Sequence, residues 1–288
     1  MIVDISDISS PELDIYTRMS EPQLRTIYAP REGLFIAESP MVIGRALDAG
    51  YEPESVLTCK EALCGHGRDV ILRITEMYPD IPVYAGSDEV LAGIRGYQMT
   101  RGVLCAMKRR AHEPFEDIIK GRTRVAVLND VENPGNVGAI IRSAAAMYMD
   151  AAVLTGDCSD PLYRRAARVS VGTVFQLPWT YTSGPADDPY AYIRTLKRHG
   201  FKTAAMALSD DAVPVDDPRV AGEEKLAVIM GNECFGLPGD LIAECDYVVK
   251  IPMAAGIDSL NVAAASAVAF YVLAANKVPG DGSAVPQN

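Results

Sequence analysis

The first part of the chain alternates short apolar runs with longer amphipathic stretches. The apolar runs, which predict buried strands, cover residues 33–39, 55–59, 81–86 and 102–108. The stretches with helical spacing of apolar positions cover residues 11–28, 40–50, 69–78 and 87–96. This alternation predicts a small α/β domain over residues 1–110. The composition then changes around Pro114, which predicts a linker at residues 111–122.

The second part of the chain repeats the alternation over residues 123–277. Its predicted strands are 124–129, 151–156, 176–181, 201–208, 225–231 and 247–253. Its predicted helices are 135–149, 161–174, 190–200, 237–244 and 259–277. Strands that alternate with helices favour a parallel sheet, so we expect a second α/β domain. The polar end at residues 278–288 predicts a disordered tail.

Composition restricts the class of protein. A net charge of −11 over 288 residues argues against a protein that coats nucleic acid without selectivity. The acidic N-terminus lacks the basic region of a signal peptide, and no segment approaches the roughly 18 apolar residues of a membrane span. Six cysteines without a CxxC pair, together with three histidines, favour neither a zinc site nor a disulfide framework. We therefore expect a reduced, cytoplasmic protein with no membrane partner.

Basic residues nevertheless cluster in two places. The first cluster comprises Arg101, Lys108, Arg109, Arg110, Lys120, Arg122 and Arg124, and the second comprises Arg164, Arg165 and Arg168. For a charge run considered alone, a solvated surface is favoured over a nucleic-acid contact.

Three loops that follow predicted strands contain unusual numbers of glycine and small polar residues. They read NPGNVG (133–138), GNECFGL (231–237) and IPMAAGIDSLN (251–261). In an open parallel sheet, ligands bind beyond the carboxyl ends of the strands, so these loops mark a candidate site. None of them is a Walker sequence or a GxGxxG fingerprint, which disfavours a nicotinamide or nucleotide enzyme on a doubly wound sheet.

The first loop opens a helix with an asymmetric surface. Asn133 is a suitable cap and Pro134 suits the first helical position. Gly135, Gly138 and Arg142 then share one face of the helix. Bare backbone beside a guanidinium suits a phosphate or carboxylate. Tight helix packing with Arg142 in a surface ion pair explains the pattern equally well.

The other two loops carry polar residues between glycines or at a helix start. Glu233 lies between Gly231 and Gly236, where it either caps the next helix or binds a ligand. Ser259 is predicted to cap the last helix, with Asn261 just inside it. Asparagine is a poor helix former, so Asn261 is either a second capping group or a binding residue.

The three loops in this order resemble the three motifs of the SpoU-type (TrmH-like) RNA 2′-O-ribose methyltransferases of the SPOUT superfamily. NPGNVGAIIRSA resembles the first motif, IMGNECFGL the second and IPMAAGIDSLNVAAA the third. The resemblance covers residues 123–276. The stretch GLFIAESPMVIGRALDAGYEPESVL is similar to the L30e-like substrate-binding domain that precedes this core in the family. The implied fold is an α/β trefoil-knot domain with a parallel sheet, preceded by a small L30e-like α/β domain.

The resemblance also implies an activity. S-adenosylmethionine would donate a methyl group to a ribose 2′-hydroxyl of ribosomal or transfer RNA, without a metal, in a homodimer. The alternative is a non-catalytic RNA-binding or ribosome-assembly factor that keeps the fold. The implied catalytic residues are Asn136, Arg142, Glu233, Ser259 and Asn261. The implied cofactor-binding residues are Gly231, Asn232, Gly236, Ile251, Met253 and Leu260. The implied RNA-binding residues are Arg109, Arg110, Arg164, Arg165 and Arg168.

Overall fold

The computed structural model describes residues 1–92, 102–182, 188–257 and 259–274. In chain order its strands are β1 (Ile2–Asp4), β2 (Leu34–Glu38), β3 (Pro53–Cys59), β4 (Val83–Gly86), β5 (Val103–Lys108), β6 (Arg124–Leu128), β7 (Ala151–Leu154), β8 (Trp179–Tyr181), β9 (Lys202–Met206), β10 (Val213–Pro214), β11 (Leu226–Met230) and β12 (Tyr247–Lys250). Its α-helices are α1 (Asp14–Thr17), α2 (Glu21–Thr26), α3 (Pro40–Asp48), α4 (Arg68–Met77), α5 (Asp88–Leu91), α6 (Phe115–Ile119), α7 (Pro134–Ala146), α8 (Arg164–Val169), α9 (Ala191–Arg198), α10 (Pro218–Ala221), α11 (Gly239–Glu244) and α12 (Val262–Ala274).

Some sequence predictions fall outside the described residues. These are the end of the predicted helix 87–96, the residue Arg101, residue 258 of the third loop, residues 275–277 of the predicted helix 259–277, and the predicted tail 278–288. Within the described residues, the helix predicted at 11–28 is wrong as a single element. It is broken into a 3-10 turn at Pro11–Leu13 and the short helices α1 and α2. Ser20 begins the second of these with a capping box that involves Gln23.

The chain divides into two compact units. The first contains residues 1–111 together with 160–176, and the second contains residues 112–159 together with the rest of the chain. In the first unit the strand order is β1-β4-β3-β5-β2. Strand β5 runs antiparallel to β3 and β2, whereas β1, β4 and β3 are parallel. The sheet of this unit is therefore mixed, with parallel and antiparallel strand pairs.

Ion pairs attach the segment 160–176 to the rest of the first unit. Arg109 Nη1 donates to Asp160 Oδ2 at 2.8 Å, and both side chains are almost fully buried. Arg164 Nε donates to Glu38 Oε2 at 2.9 Å, and Arg168 Nη1 to Glu38 Oε1 at 3.2 Å. Helix α8 thereby packs on strand β2. Buried charges are tolerated here because each one has an opposite charge beside it.

The second unit is built on a parallel sheet of seven strands in the order β10-β12-β9-β11-β6-β7-β8. Strand β11 lies between β6 and β9, and its five residues are all buried. Helix α6 lies inside the interval predicted as a linker, and its Phe115, Ile118 and Ile119 pack in the core of this unit. Part of that interval is therefore core-forming helix.

Arg124, the first residue of β6, holds the end of the last helix. Its guanidinium is buried and donates five hydrogen bonds of 2.8–3.3 Å, all to backbone carbonyls, of Thr123, Ala221, Glu223, Glu224 and Leu273. Burial lowers the pKa of Arg124, although Asp150 and Glu223 act in the opposite direction. Leu273 belongs to α12, so one of the five bonds joins β6 to that helix.

Among the helices in the described part of the chain, none has both the length and the apolarity needed to span a bilayer.

Candidate active site

The first of the three loops follows β6 and opens α7 as the sequence predicts. Asn133 Oδ1 accepts the backbone N–H of Gly135 at 2.8 Å, and Pro134 occupies the first helical position. Val137, Gly138, Ile140 and Ile141 are buried in the unit. The exposed side of the helix carries Arg142, and Asn136 is half-buried. The predicted face of bare backbone shared by Gly135, Gly138 and Arg142 is wrong at Gly138, which is buried with the apolar residues, whereas Arg142 is exposed.

The second loop follows β11 and is organised by Asn232. The Asn232 side chain donates to the backbone oxygen of Asp130 at 2.8 Å, and its Oδ1 accepts the N–H groups of Cys234 and Phe235 at 2.8 and 3.1 Å. Its backbone pairs with that of Gly236, which has a φ of +69°. With these bonds made, the Asn232 amide is occupied, so Asn232 shapes the cavity wall rather than offering a free amide.

Gly231 is required by the same loop. A Cβ at this position would lie 2.6 Å from the backbone carbon of Gly236 and 2.8 Å from the backbone nitrogen of Leu237. Real Cβ atoms do not approach backbone so closely, which leaves glycine as the residue that fits.

The third loop follows β12 and precedes α12. The prediction that Ser259 caps the last helix is wrong, because α12 begins at Val262. Asn261 takes that place: its Oδ1 accepts the N–H of Ala263 at 2.9 Å. Ser259 lies two residues earlier, exposed on the wall of a cavity. Of the two roles predicted for Asn261, helix capping and ligand binding, the structure shows helix capping.

A chain of hydrogen bonds joins all three loops. Asn136 Nδ2 donates to Glu233 Oε1 at 2.8 Å, and the backbone N–H of Asn133 donates to the same oxygen at 3.2 Å. Asn261 Nδ2 donates to Asn136 Oδ1 at 3.2 Å. Asn261 therefore caps α12 and also binds Asn136. Asn136, Glu233 and Asn261, which we call the polar triad, come from three separate parts of the sequence.

A cavity of about 430 Å³ opens between the second and third loops. All six residues expected to bind a cofactor line it: Gly231, Asn232, Gly236, Ile251, Met253 and Leu260. Glu233 and Ser259 line it as well. Most of the remaining wall is apolar. A concave, mainly apolar pocket with a few polar groups is the usual form of a small-molecule site.

Sequence reasoning missed two parts of this region. Met206, Ala207 and Leu208, at the end of β9, also line the cavity, because the sheet places β9 between β11 and β12. Asp130 was missed too, although its φ of +58° makes it an unusual residue for a strand end. Burial, and then repulsion from Asp157 and Glu233, raise the pKa of Asp130, while the Asn232 amide opposes the shift.

Arg142 is exposed, and the structure shows no ion pair for it within residues 1–92, 102–182, 188–257 and 259–274. The surface ion pair that the sequence left open is therefore not formed with any described residue. An arginine without a competing carboxylate is available to an anionic ligand.

The arginines expected to bind RNA differ in burial and in ion pairing. Arg109 is buried against Asp160, so it is not exposed for contact with a phosphate, and its assignment as an RNA-binding residue is corrected. Arg164 and Arg168 both pair with Glu38, but about half of the Arg168 side chain stays exposed. Arg110 and Arg165 are exposed. Arg110 also donates to the Ala49 carbonyl at 2.8 Å and lies over the Tyr51 ring.

Comparison with known proteins decides the family. Residues 123–271, just over half of the chain, match the SpoU rRNA Methylase family. The chain belongs to this family. The resemblance drawn from the three motifs is thereby confirmed, and so is the expectation of a methyltransferase. A curated relative, an uncharacterised tRNA/rRNA methyltransferase of Mycobacterium tuberculosis, is 35% identical over 276 residues, which cover 94% of this chain and 91% of the relative.

Other relatives have named substrates. The 23S rRNA (guanosine-2′-O-)-methyltransferase of Acinetobacter baylyi is 29% identical over 231 residues, with 76% of this chain and 89% of that protein covered. Among solved structures, an AdoMet-bound rRNA methyltransferase from Sinorhizobium meliloti has a TM-score of 0.77 at 23% identity, over 96% of this chain and 99% of that one. This structural likeness confirms the α/β fold with a parallel sheet.

Proposed function

We propose that this protein transfers the methyl group of S-adenosylmethionine to a ribose 2′-hydroxyl of ribosomal or transfer RNA. The polar triad carries the proposal, because it joins the three family motifs beside a cavity of suitable size. The names of the relatives support both the RNA substrate and the 2′-oxygen as the acceptor. Ribosomal and transfer RNA are both compatible with those names.

The cavity has the properties that the methyl donor requires. At about 430 Å³ it falls in the range of roughly 300–1,000 Å³ that small ligands occupy. Ile251, Met253 and Leu260 offer apolar surface, and the backbone near Gly231 approaches the cavity without a side chain in the way. We propose that these groups hold the adenosine part of the donor. The sulfonium of the bound donor supplies an activated methyl group, so the transfer requires no metal.

The residues of the chain then have to position the acceptor oxygen. In-line transfer requires the oxygen, the methyl carbon and the sulfur to be aligned, and holding them in that geometry lowers the barrier. We propose that the polar triad fixes the ribose, with Ser259 as a further polar contact. The new O–C bond forms as the S–C bond of the donor breaks, so that S-adenosylhomocysteine leaves and the proton of the 2′-hydroxyl passes to solvent water. Arg142 would bind the adjacent phosphate and stabilise the charge that develops on the oxygen, since a guanidinium stays protonated in proteins.

The direct test is transfer of tritiated methyl from S-adenosylmethionine to unmodified transcripts of 23S rRNA and of tRNA. Label in alkali-resistant dinucleotides would place the methyl group on the 2′-oxygen. RNA binding without transfer would contradict the proposal and support the non-catalytic alternative. Arg142→Ala is expected to lower turnover about 100-fold or more, as for loss of an electrostatic stabiliser. Near-normal turnover of Arg142→Lys would show that a planar guanidinium is unnecessary.

The RNA surface is a second part of the proposal. Arg110, Arg165 and Arg168 each have an exposed side chain, and we propose that they contact phosphates of the RNA. Each lost phosphate contact should lower the slope of log affinity against log salt by about 0.7–0.9. Arg165→Ala is the cleanest variant, because Arg165 forms no ion pair with a described residue. Lys60→Ala, which removes an exposed cation paired with Asp4, is the control and should leave the slope unchanged.

We further propose a homodimer, and helix α12 supports this. Almost all of its residues are apolar, including those on its exposed face, where Val268 is 38% and Tyr271 is 67% exposed. A helix that is apolar on every side is normally covered. Val268→Glu is expected to convert the dimer to a monomer in analytical ultracentrifugation. A monomeric wild type would refute this part of the proposal. The cytoplasmic location and the trefoil knot stay predictions.

A further inference from the structure

The rim of the cavity carries exposed apolar side chains, of which Phe235 and Leu208 are not among those proposed to hold the donor. Phe235 is 89% exposed, more than any other large apolar side chain in the described part of the chain. Leu208 and Leu260 line the same cavity and are 58% and 43% exposed. Single exposed apolar residues need no explanation, but a group of them around one ligand cavity marks a contact surface.

The position of Phe235 is set by the backbone of its loop. The N–H of Phe235 donates to Asn232 Oδ1, and the next residue, Gly236, pairs with the backbone of Asn232. The left-handed conformation of Gly236 closes this turn. Because the backbone on both sides of the ring is hydrogen-bonded, the exposed ring is presented by an ordered turn and not by a free end of chain.

Phe235 also lies close along the chain to Glu233, a member of the polar triad. Glu233, which binds Asn136, is two residues before Phe235, and two residues span at most about 7 Å. A nucleotide whose ribose contacts the triad carries its base on the same ribose ring. The base must therefore lie within a few ångströms of the 2′-oxygen.

We propose that Phe235 stacks on the base of the nucleotide that is methylated. This inference rests on the proposed function and adds a contact that recognises the target nucleotide. Proteins that recognise unpaired RNA bases commonly stack them on aromatic side chains. Every base has a π-face, so this contact holds the target nucleotide out of its RNA stack without selecting its identity. Selection of the site then falls to the surrounding RNA shape.

The test compares Phe235→Ala, Phe235→Leu and Phe235→Tyr with wild type in steady-state methyl transfer, using the unmodified transcript that wild type methylates. Phe235→Ala should raise KM for RNA or lower kcat/KM about 5- to 150-fold, the range of a lost base–aromatic stack. Phe235→Tyr keeps a ring and should stay near wild type. Phe235→Leu keeps apolar surface without a ring and should behave like the alanine variant.

A substrate variant isolates the stacking partner. With an RNA whose target nucleotide is abasic, wild type should show the same reduced kcat/KM as Phe235→Ala shows with the intact RNA. Phe235→Ala acting on the abasic RNA should show no further reduction. Additive losses would overturn the inference. Weaker binding of S-adenosylmethionine by Phe235→Ala in calorimetry would assign the ring to the donor pocket instead, and loss of the dimer in ultracentrifugation would assign it to the subunit interface. A wild-type chain that methylates no RNA would overturn the proposed function and this inference together.

Discussion

Replacement of Arg124 should destabilise the second unit strongly. Replacement by Met keeps much of the apolar stem and removes five hydrogen bonds to backbone carbonyls, one of which belongs to Leu273 of α12. The loop before α12 carries Ser259 and Asn261. Loss of the guanidinium should therefore loosen both the helix and the candidate site.

The expected magnitude follows from these contacts. Hydrogen bonds to a charged donor contribute about 1.5–3 kcal/mol each, so five would sum to roughly 8–15 kcal/mol if they were independent. They are not independent, because the desolvation of the guanidinium offsets several kcal/mol and water can reach some of the freed carbonyls. We expect Arg124→Met to lower the free energy of unfolding by about 3–5 kcal/mol. Arg124→Lys has three donors instead of five and should cost about 1–3 kcal/mol.

Two measurements check this prediction. Thermal unfolding of the variants should show midpoints about 6–20 °C lower for Arg124→Met, at roughly 2–4 °C per kcal/mol for a unit of this size. Relative to wild type, hydrogen exchange should increase more in residues 221–224 and in α12 than in β7, because the lost bonds end on carbonyls of the first two segments and none ends on β7. A change below about 1 kcal/mol, or uniform exchange across the unit, would refute the reasoning that Arg124 anchors α12.

Three further predictions concern the site. Gly231→Ala should abolish binding of S-adenosylmethionine in calorimetry, because its Cβ would overlap the backbone of Gly236, whereas Gly239→Ala, with open space around the Cβ, should bind normally. Asp130→Asn should become more stable than wild type as the pH rises above about 4. Folding raises the pKa of the Asp130 carboxyl, so wild type loses stability when that carboxyl ionises with rising pH. The asparagine amide does not ionise and avoids this loss. The prediction is contradicted if the urea midpoint of Asp130→Asn equals that of wild type at pH 5 and again at pH 8. Glu233→Gln keeps an acceptor for Asn136 but loses the charge, and should lower kcat about tenfold with little change in unfolding free energy.

Several features of the site follow from local sequence. Asn133 and Pro134 begin α7 because a side-chain acceptor and a missing N–H suit the first turn of a helix wherever it occurs. The three loops were recognisable because each follows an apolar strand and is rich in glycine and small polar residues. Local rules failed at residues 11–28, where Pro22 lies in the first turn of a new helix, α2, inside an apolar pattern that looked continuous. They failed again at Ser259, three residues before the first residue of α12.

The burial of individual charges depended on distant residues. Arg109 looked like one member of an exposed basic run, yet it pairs with Asp160, 51 residues later. Arg124 belonged to the same run and is buried against carbonyls up to 149 residues away. No local pattern distinguishes these two from Arg110, because the environment that buries them comes from other segments of the chain.

The amino-acid sequence by itself determined the alternation of strands and helices, the caps of α7, and the three motifs that identify the family. These depend on backbone preferences and on side-chain periodicity, which act over a few residues. Only the tertiary structure decided that β9 lies between β11 and β12 and so supplies part of the cavity wall. It also decided the contacts of Asn136 with Glu233 and Asn261, which are 97 and 125 residues away along the chain. Strand order is a property of the whole packed core, and contacts across such separations exist only after that core has formed.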